Sequence, residues 1–344
     1  MGLQVGEIIP KKDILIEDLQ GKVIAVDAFN TLYQFLSNIR QLDGTPLMDS
    51  KGKITSHLSG LFYRTINLMS RGLKLVFVFD GKAPELKHGT HEKRESIKQE
   101  AERRYEEAKE KGIEEEMGKY AKQFTRLDSN MIKESKELIE ALGLTAIQAP
   151  SEGEAQAAFI SKKGDAYAVS SQDYDAMLFS APRLIQNLTL ARKRRLPNGS
   201  FVSIQPQLIE LDNVLKTLDL SHEQLICLGI LVGTDYNPGG IKGIGQKRAL
   251  EIVKKHKSAD KIFKEIEKEP KYQINFEWQK IFELFKEPKV TKDYSIKFKK
   301  VNEDALRKIL TERHDFSEER INSALEKLEK QKETLKQQGL NKWF

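Results

Sequence analysis

Short apolar runs alternate with amphipathic stretches through the first half of the chain. Val23–Val26, Leu75–Phe79, Thr145–Gln148, Ala166–Ser170 and Leu184–Gln186 read as buried strands, being short and rich in branched and aromatic residues. His57–Ser70, Asn130–Leu142 and Glu152–Lys162 carry helical periodicity between them. Strands alternating with helices predict an α/β fold, a mostly parallel central sheet flanked by helices. From about Leu208 onward the pattern is mostly helical. Ser221 and Gln224 have the form of a capping box opening a helix over Glu223–Val232, and a further helix runs from Gln246 to about Lys255. No long internal repeat and no low-complexity linker interrupts the order.

One segment departs from this pattern. Residues 85–126 are dense in Lys, Arg and Glu, and only Ile97, Ala101, Tyr105 and Ala108 form a thin apolar stripe at helical spacing. Such a stretch suits a solvated pair of surface helices, or a helical insertion that orders around a substrate. Its place directly after the strand ending at Phe79 favours the insertion.

The strand ends carry acids. Asp27 closes KVIAVD and Asp80 closes LKLVFVFD; Glu152 and Glu154 lie in APSEGEAQAAF, Asp173 and Asp175 in SSQDYDAMLF, and Asp235 in LVGTDYNPGG. In an open parallel sheet the crevice lies beyond the carboxyl ends of the strands, so these acids are expected to meet. Buried carboxylates repel one another and resist desolvation, and cations between them relieve both penalties. Oxygen-only donors suit two Mg²⁺ ions, with Mn²⁺ as the substitute, and the lack of histidine in these motifs disfavours zinc. Two such ions fit phosphodiester hydrolysis. Lys87 and Arg94, seven residues apart, share a helix face on which they could offset phosphate charge. Tyr33 could stack on a base, although an aromatic on an amphipathic helix, taken alone, more often packs in a core.

The glycine-rich loop Gly239–Gly245 lies between two helices and includes Gly240, Lys242, Gly243 and Gly245. Glycines let backbone approach phosphate, and the following helix offers unpaired N–H groups. A Walker A loop is excluded, since GxxxxGK[ST] does not occur.

Composition adds limits. The chain has 344 residues, 39% hydrophobic and 31% charged, enough for one large domain with an appendage or for two. No apolar run reaches the roughly 18 residues of a membrane span. The start lacks a secretory layout, and Gly6 breaks the myristoylation pattern. The single cysteine, Cys227, sits in LICLGILV and reads as a buried thiol. An intracellular protein is expected, without membrane attachment and monomeric on its own. The net charge of +6 understates the basic surface if seven carboxylates are committed to metals, and a polyanionic partner fits that surface.

TPLMDSKGKITSHLSGLFYRTINLM, APSEGEAQAAF, SQDYDAMLF and ILVGTDYNPGGIKGIG together resemble the structure-specific 5′ nucleases, and within them the flap endonucleases, most closely archaeal members. The resemblance spans nearly the whole chain. It implies a two-metal phosphodiesterase cutting branched DNA near the base of a 5′ flap, with 5′-3′ exonuclease activity, in replication and repair. The seven acids match family metal-site acids. Lys87 and Arg94 match the basic pair that reaches the scissile phosphate, and Tyr33 the aromatic at the cleavage junction. Gly2 matches the residue whose freed amino group lies near the active site. By the same resemblance, 85–126 is the helical arch, and about 220–256 a helix–two-turn–helix unit whose loop binds duplex and a monovalent cation. Arg40 and Thr55 match contacts to the upstream duplex and its 3′ flap. Residues 1–330 are then the nuclease core, and 331–344 a flexible tail. In that tail Gln337, Leu340, Trp343 and Phe344 fit the peptide that docks on a sliding clamp, Trp343 standing where some relatives carry Phe. The lack of a long basic extension after this motif departs from eukaryotic members. A relative preferring bubbles, gaps or RNA ends would share the metal core, and a non-catalytic clamp-bound adaptor would not need the acids.

Overall fold

The computed structural model describes residues 3–41, 44–121, 126–190, 193–195 and 200–341. Its centre is a seven-stranded sheet. Strands β1 (Lys12–Asp13), β2 (Val23–Asp27), β3 (Lys74–Phe79), β4 (Thr145–Gln148), β5 (Ala168–Ser170), β6 (Arg183–Gln186) and β9 (Gln207–Glu210) lie in the order β1-β9-β6-β5-β2-β3-β4. Strands β6, β5, β2, β3 and β4 run parallel, and β9 and β1 close one edge antiparallel. A separate antiparallel pair, β7 (Lys193–Arg195) and β8 (Phe201–Ser203), lies between β6 and β9 in sequence.

The two faces of the sheet are buried by alternate residues, as the period of two in a strand requires. Leu75, Phe77 and Phe79 of β3 join Ile24 and Val26 of β2 in one core. Helices α1 (Ala28–Asn38), α2 (Ser56–Met69), α5 (Ser129–Ala141), α13 (Glu303–Arg307) and α14 (Glu318–Asn341) contribute to that face. Val76 and Val78 join Ala25 and Val169 on the other. There the cover comes from α6 (Gly153–Lys162), α7 (Asp175–Leu178), α8 (Leu211–Leu218), α9 (His222–Val232), α10 (Gln246–Lys255), α11 (Ala259–Glu267) and α12 (Trp278–Lys286). Cys227 is fully buried in α9.

The charged insertion is helical. A 3₁₀ turn, Glu85–Lys87, leads into α3 (His88–Glu110), and α4 (Glu114–Ala121) packs back on it. Ala101, Tyr105 and Ala108 are the buried stripe, whereas Ile97 is exposed. The capping box at Ser221 is present, with the Ser221 hydroxyl accepting from the Gln224 amide.

One expectation needs correction. The chain from Leu208 is not helical at once, because Gln207–Glu210 forms β9; four residues of mixed polarity give no strand signal until β6 and β1 pair with them. Helix α14 continues to Asn341, with Gln337 and Leu340 on it. The side chains of Arg94, Gln337 and Leu340, and the whole of Gly2, Trp343 and Phe344, lie outside the described residues. Among the described residues no helix is long and apolar enough to cross a membrane.

Candidate active site

Parallel strands deliver the acids to one edge. Asp27 is the last residue of β2, Asp80 follows β3, Glu152 and Glu154 open α6 after β4, and Asp173 and Asp175 follow β5. Asp235 arrives from the turn after α9. Asp27, Asp80, Glu152, Glu154, Asp173 and Asp235 line a cavity of about 510 Å³, together with Tyr33, Lys87 and Lys98. Asp175 does not line it but is buried, with its Oδ1 accepting from the Leu3 amide at 3.2 Å. That bond ties the N-terminal segment to the site.

Local backbone orients the carboxylates. Asp27 is the N-cap of α1, its Oδ1 accepting from the Asn30 amide at 3.0 Å. Asp80 Oδ1 accepts from the Gly153 amide at 2.6 Å, so the start of α6 holds the acid at the end of β3. A side chain at Gly153 would collide with that oxygen. The Ser171 hydroxyl stands 3.2 Å from Asp27 Oδ2 and 2.8 Å from Glu154 Oε1. Its single proton serves one of them at a time. Asn30 Nδ2 donates to Asp173 Oδ2 at 2.9 Å.

Crowded acids resist ionisation. Burial, then the charge of Asp80, pushes Asp27 up to about 8. Burial and Glu152 raise Asp80 to about 6, and burial and Asp235 raise Asp175 to about 7. Burial and Asp27 hold Glu154 well above the ordinary carboxylate range. Lys87 answers part of this charge. Its ammonium lies 2.5 Å from Glu152 Oε2 and 3.5 Å from Asp235 Oδ2. Burial works against that ammonium, but Glu152 and then Asp235 outweigh it and lift its pKa above the usual lysine value.

Among the described residues no group of three or more carboxylate, imidazole or thiol side chains forms a ready-made metal cage. The donor set nevertheless fits hard divalent cations: it is all oxygen, deeply buried and mutually repulsive.

The structure brings the insertion over the site. Lys98 of α3 places its ammonium 5.5 Å from the centre of the Tyr33 ring. Arg94 falls on the same helix between Lys87 and Lys98. Arg40 and Thr55 do not line the acid cavity. They belong to the connection between α1 and α2, where Arg40 Nη1 donates to the Gly44 carbonyl at 2.8 Å and Thr55 is buried at the start of α2. In the glycine loop, Gly239, Gly240 and Gly243 have positive φ, and a Cβ on Gly240 would lie 2.3 Å from the Leu231 carbonyl. Lys242 is exposed, and Gly245 is the N-cap of α10. A second cavity of about 980 Å³ runs from Gly245–Arg248 past Leu3–Glu7 to Asp173, joining this loop to the acids.

Asn30, Ser171, Lys98 and Tyr236 were not singled out from the sequence. Lys98 carried a signal, standing four residues after Arg94 and eleven after Lys87 on one helix face. Asn30 and Ser171 carried none beyond nearness to acids, because short polar residues after a strand serve many turns.

Comparison with known proteins agrees with this architecture. Residues 5–101 match the XPG N-terminal domain and residues 143–235 the XPG I-region. The flap endonuclease 1 of Pyrococcus furiosus is 53% identical over 345 residues, covering 100% of this chain and 99% of the relative. That of Hyperthermus butylicus is 50% identical over 351 residues, covering 100% and 99%. The solved flap endonuclease-1 of Methanococcus jannaschii superposes with a TM-score of 0.75 at 42% identity, over 96% of this chain and 98% of that one. The Rad2 catalytic core, solved with its DNA substrate, shares the fold at a TM-score of 0.70 and 23% identity, over 94% and 97%. With acids gathered at the ends of parallel strands beneath a helical insertion, and with identity sustained along the whole chain, this protein belongs to the flap endonuclease 1 family.

Proposed function

We propose that the chain hydrolyses phosphodiesters near the base of 5′ flaps in branched DNA, and trims 5′ ends as a 5′-3′ exonuclease, in replication and repair. The observation that carries this reading is the convergence of six of the seven acids on one cavity beneath the inserted helix, with the seventh, Asp175, buried within reach of the charges of Asp235 and Asp173. Two Mg²⁺ ions held by Asp27, Asp80, Glu152, Glu154, Asp173, Asp175 and Asp235, with Mn²⁺ as substitute, would activate the attacking water and stabilise the departing oxygen.

The chain's own groups do the rest. Lys87 and Arg94 offset charge on the scissile phosphate from the foot of the arch. Tyr33 stacks on the unpaired nucleotide at the mouth of the cavity, beneath Lys98. Gly240, Lys242, Gly243 and Gly245 grip the duplex backbone, with a monovalent cation at the loop carbonyls, and the groove past Gly245–Arg248 leads the strand to the acids. Arg40 and Thr55 contact the upstream duplex and its 3′ flap, and the freed amino group of Gly2 serves the active site. Gln337, Leu340, Trp343 and Phe344 dock a monomeric enzyme on a sliding clamp inside an archaeal cell.

Labelled flap, bubble and single-stranded DNA of equal length, each incubated with Mg²⁺ and with EDTA, test the reading. Cleavage near the flap base, only with Mg²⁺ and fastest on the flap, is expected. Binding without cleavage in either condition would mark an adaptor, and preference for the bubble a differently specialised nuclease.

A further inference from the structure

Tyr236, directly after Asp235, has a use that the metal-site acids do not explain. The residue is 7% exposed. The turn that carries it is fixed, because the Tyr236 amide donates to Thr234 Oγ1 at 3.1 Å and Asn237 Nδ2 donates to the Ile230 carbonyl at 2.7 Å. Behind the ring, Phe285 packs edge-on with centroids 5.3 Å apart. Over its face, the Lys87 ammonium lies 5.4 Å from the ring centre. The Tyr236 hydroxyl is buried and has no hydrogen-bond partner among the described residues. The ring face is the part that meets the Lys87 ammonium.

Lysine is a point charge on four rotatable bonds, and two carboxylates on one side do not fix where it rests. An aromatic face supplies attraction from a further direction and keeps water from beneath the ammonium, where a cation–π contact is strongest. We propose that Tyr236 is a positioning residue whose ring seats the Lys87 ammonium against Glu152 and Asp235, at the height where it meets the substrate phosphate. The catalytic consequence rests on the reading of Lys87 given above; the seat itself does not.

The test uses the full chain with lysine side chains ¹³C-labelled, first in EDTA without DNA. A lysine Cε–H signal shifted upfield by the ring current is expected, absent in Lys87→Met and in Tyr236→Leu but retained in Tyr236→Phe. In steady-state flap cleavage with Mg²⁺, Tyr236→Leu should lower kcat about tenfold, the scale of a desolvated cation–π contact, with KM nearly unchanged. Tyr236→Phe should restore kcat to within about threefold of the parent protein. In a Lys87→Met background, Tyr236→Leu should cost nothing more.

No upfield lysine signal would overturn the seat. Equal losses from Tyr236→Leu with and without Lys87 would reduce Tyr236 to a core residue. A Tyr236→Phe variant as impaired as Tyr236→Leu would move the role to the hydroxyl and overturn the proposal. An intact signal together with unimpaired cleavage by Lys87→Met would instead sink the catalytic reading of Lys87.

Discussion

Asp80 carries two opposing jobs. Its Oδ1 receives the Gly153 amide and so fastens α6 to β3, while its charge raises the proton affinity of Asp27. Asparagine keeps an oxygen for Gly153 but removes the charge. Asp80→Asn should therefore lose flap cleavage by about 10²–10³-fold, the scale of removing one group that stabilises charge in a transition state. DNA binding should persist in a gel-shift assay. The same variant should be more stable than the parent in EDTA near pH 8, by about 1 kcal/mol, because one repulsive partner is gone. Denaturant titration of the two proteins checks this, and a less stable Asp80→Asn would show the Gly153 bond to depend on full charge.

At the level of elements, the arch has little core of its own. Helix α3 buries only a narrow stripe, and its polar face is laced by exposed pairs such as Arg103–Glu107 and Arg104–Glu100. Exposed pairs of this kind add little. Its attachment depends on a close approach elsewhere, where Gly44, at φ +84°, leaves no room for a Cβ, which would lie 2.6 Å from the Gly118 Cα of α4. Gly44→Ala should strain the turn and push α4 outward. Faster hydrogen exchange at residues 114–121 with unchanged exchange in β2 and β3 is the expected result. Uniform change across both regions would mean that arch and sheet open together. The arch was legible as a charge-rich insertion after Asp80, yet its docking was not, because a glycine-to-glycine contact leaves no mark in hydropathy.

Across the whole molecule, the acid cluster couples stability to pH and to cations. Asp27, Asp175 and Asp80 stand near 8, 7 and 6 in the folded chain against an ordinary value of 3.8. The folded state thus holds protons that the unfolded state has released. Their contribution is complete below about pH 4 and is lost as pH rises through 6 to 8. In EDTA, stability should fall by at least about 2 kcal/mol between pH 5 and pH 8, and Mg²⁺ should restore more of it at pH 8 than at pH 5. Thermal denaturation across that range, with and without Mg²⁺, reads both effects. A flat profile in EDTA would show that Lys87 already neutralises the cluster. At the carboxyl end of the chain, removing residues 337–344 should abolish retention by immobilised sliding clamp while leaving flap cleavage unchanged. Retention of the shortened chain would place the clamp contact elsewhere.

Much of this was written locally. Continuous apolar runs marked β2 to β6, because strands buried on both faces need no polar alternation. Acids at their ends, the glycine loop and the capping box at Ser221 followed from the same short-range rules. Strands β1 and β9 were not legible, since two and four residues of mixed polarity become strands only through their pairing. Nor could the sequence place Lys87 between Glu152 and Asp235, 65 and 148 residues away, or set it over Tyr236. Sequence decides which residue types occupy the ends of strands, because burial and backbone geometry act on neighbours. Which carboxylates share a proton, which cation answers them and which ring supports that cation depend on distances of a few ångströms between remote segments, and these exist only once the sheet has closed.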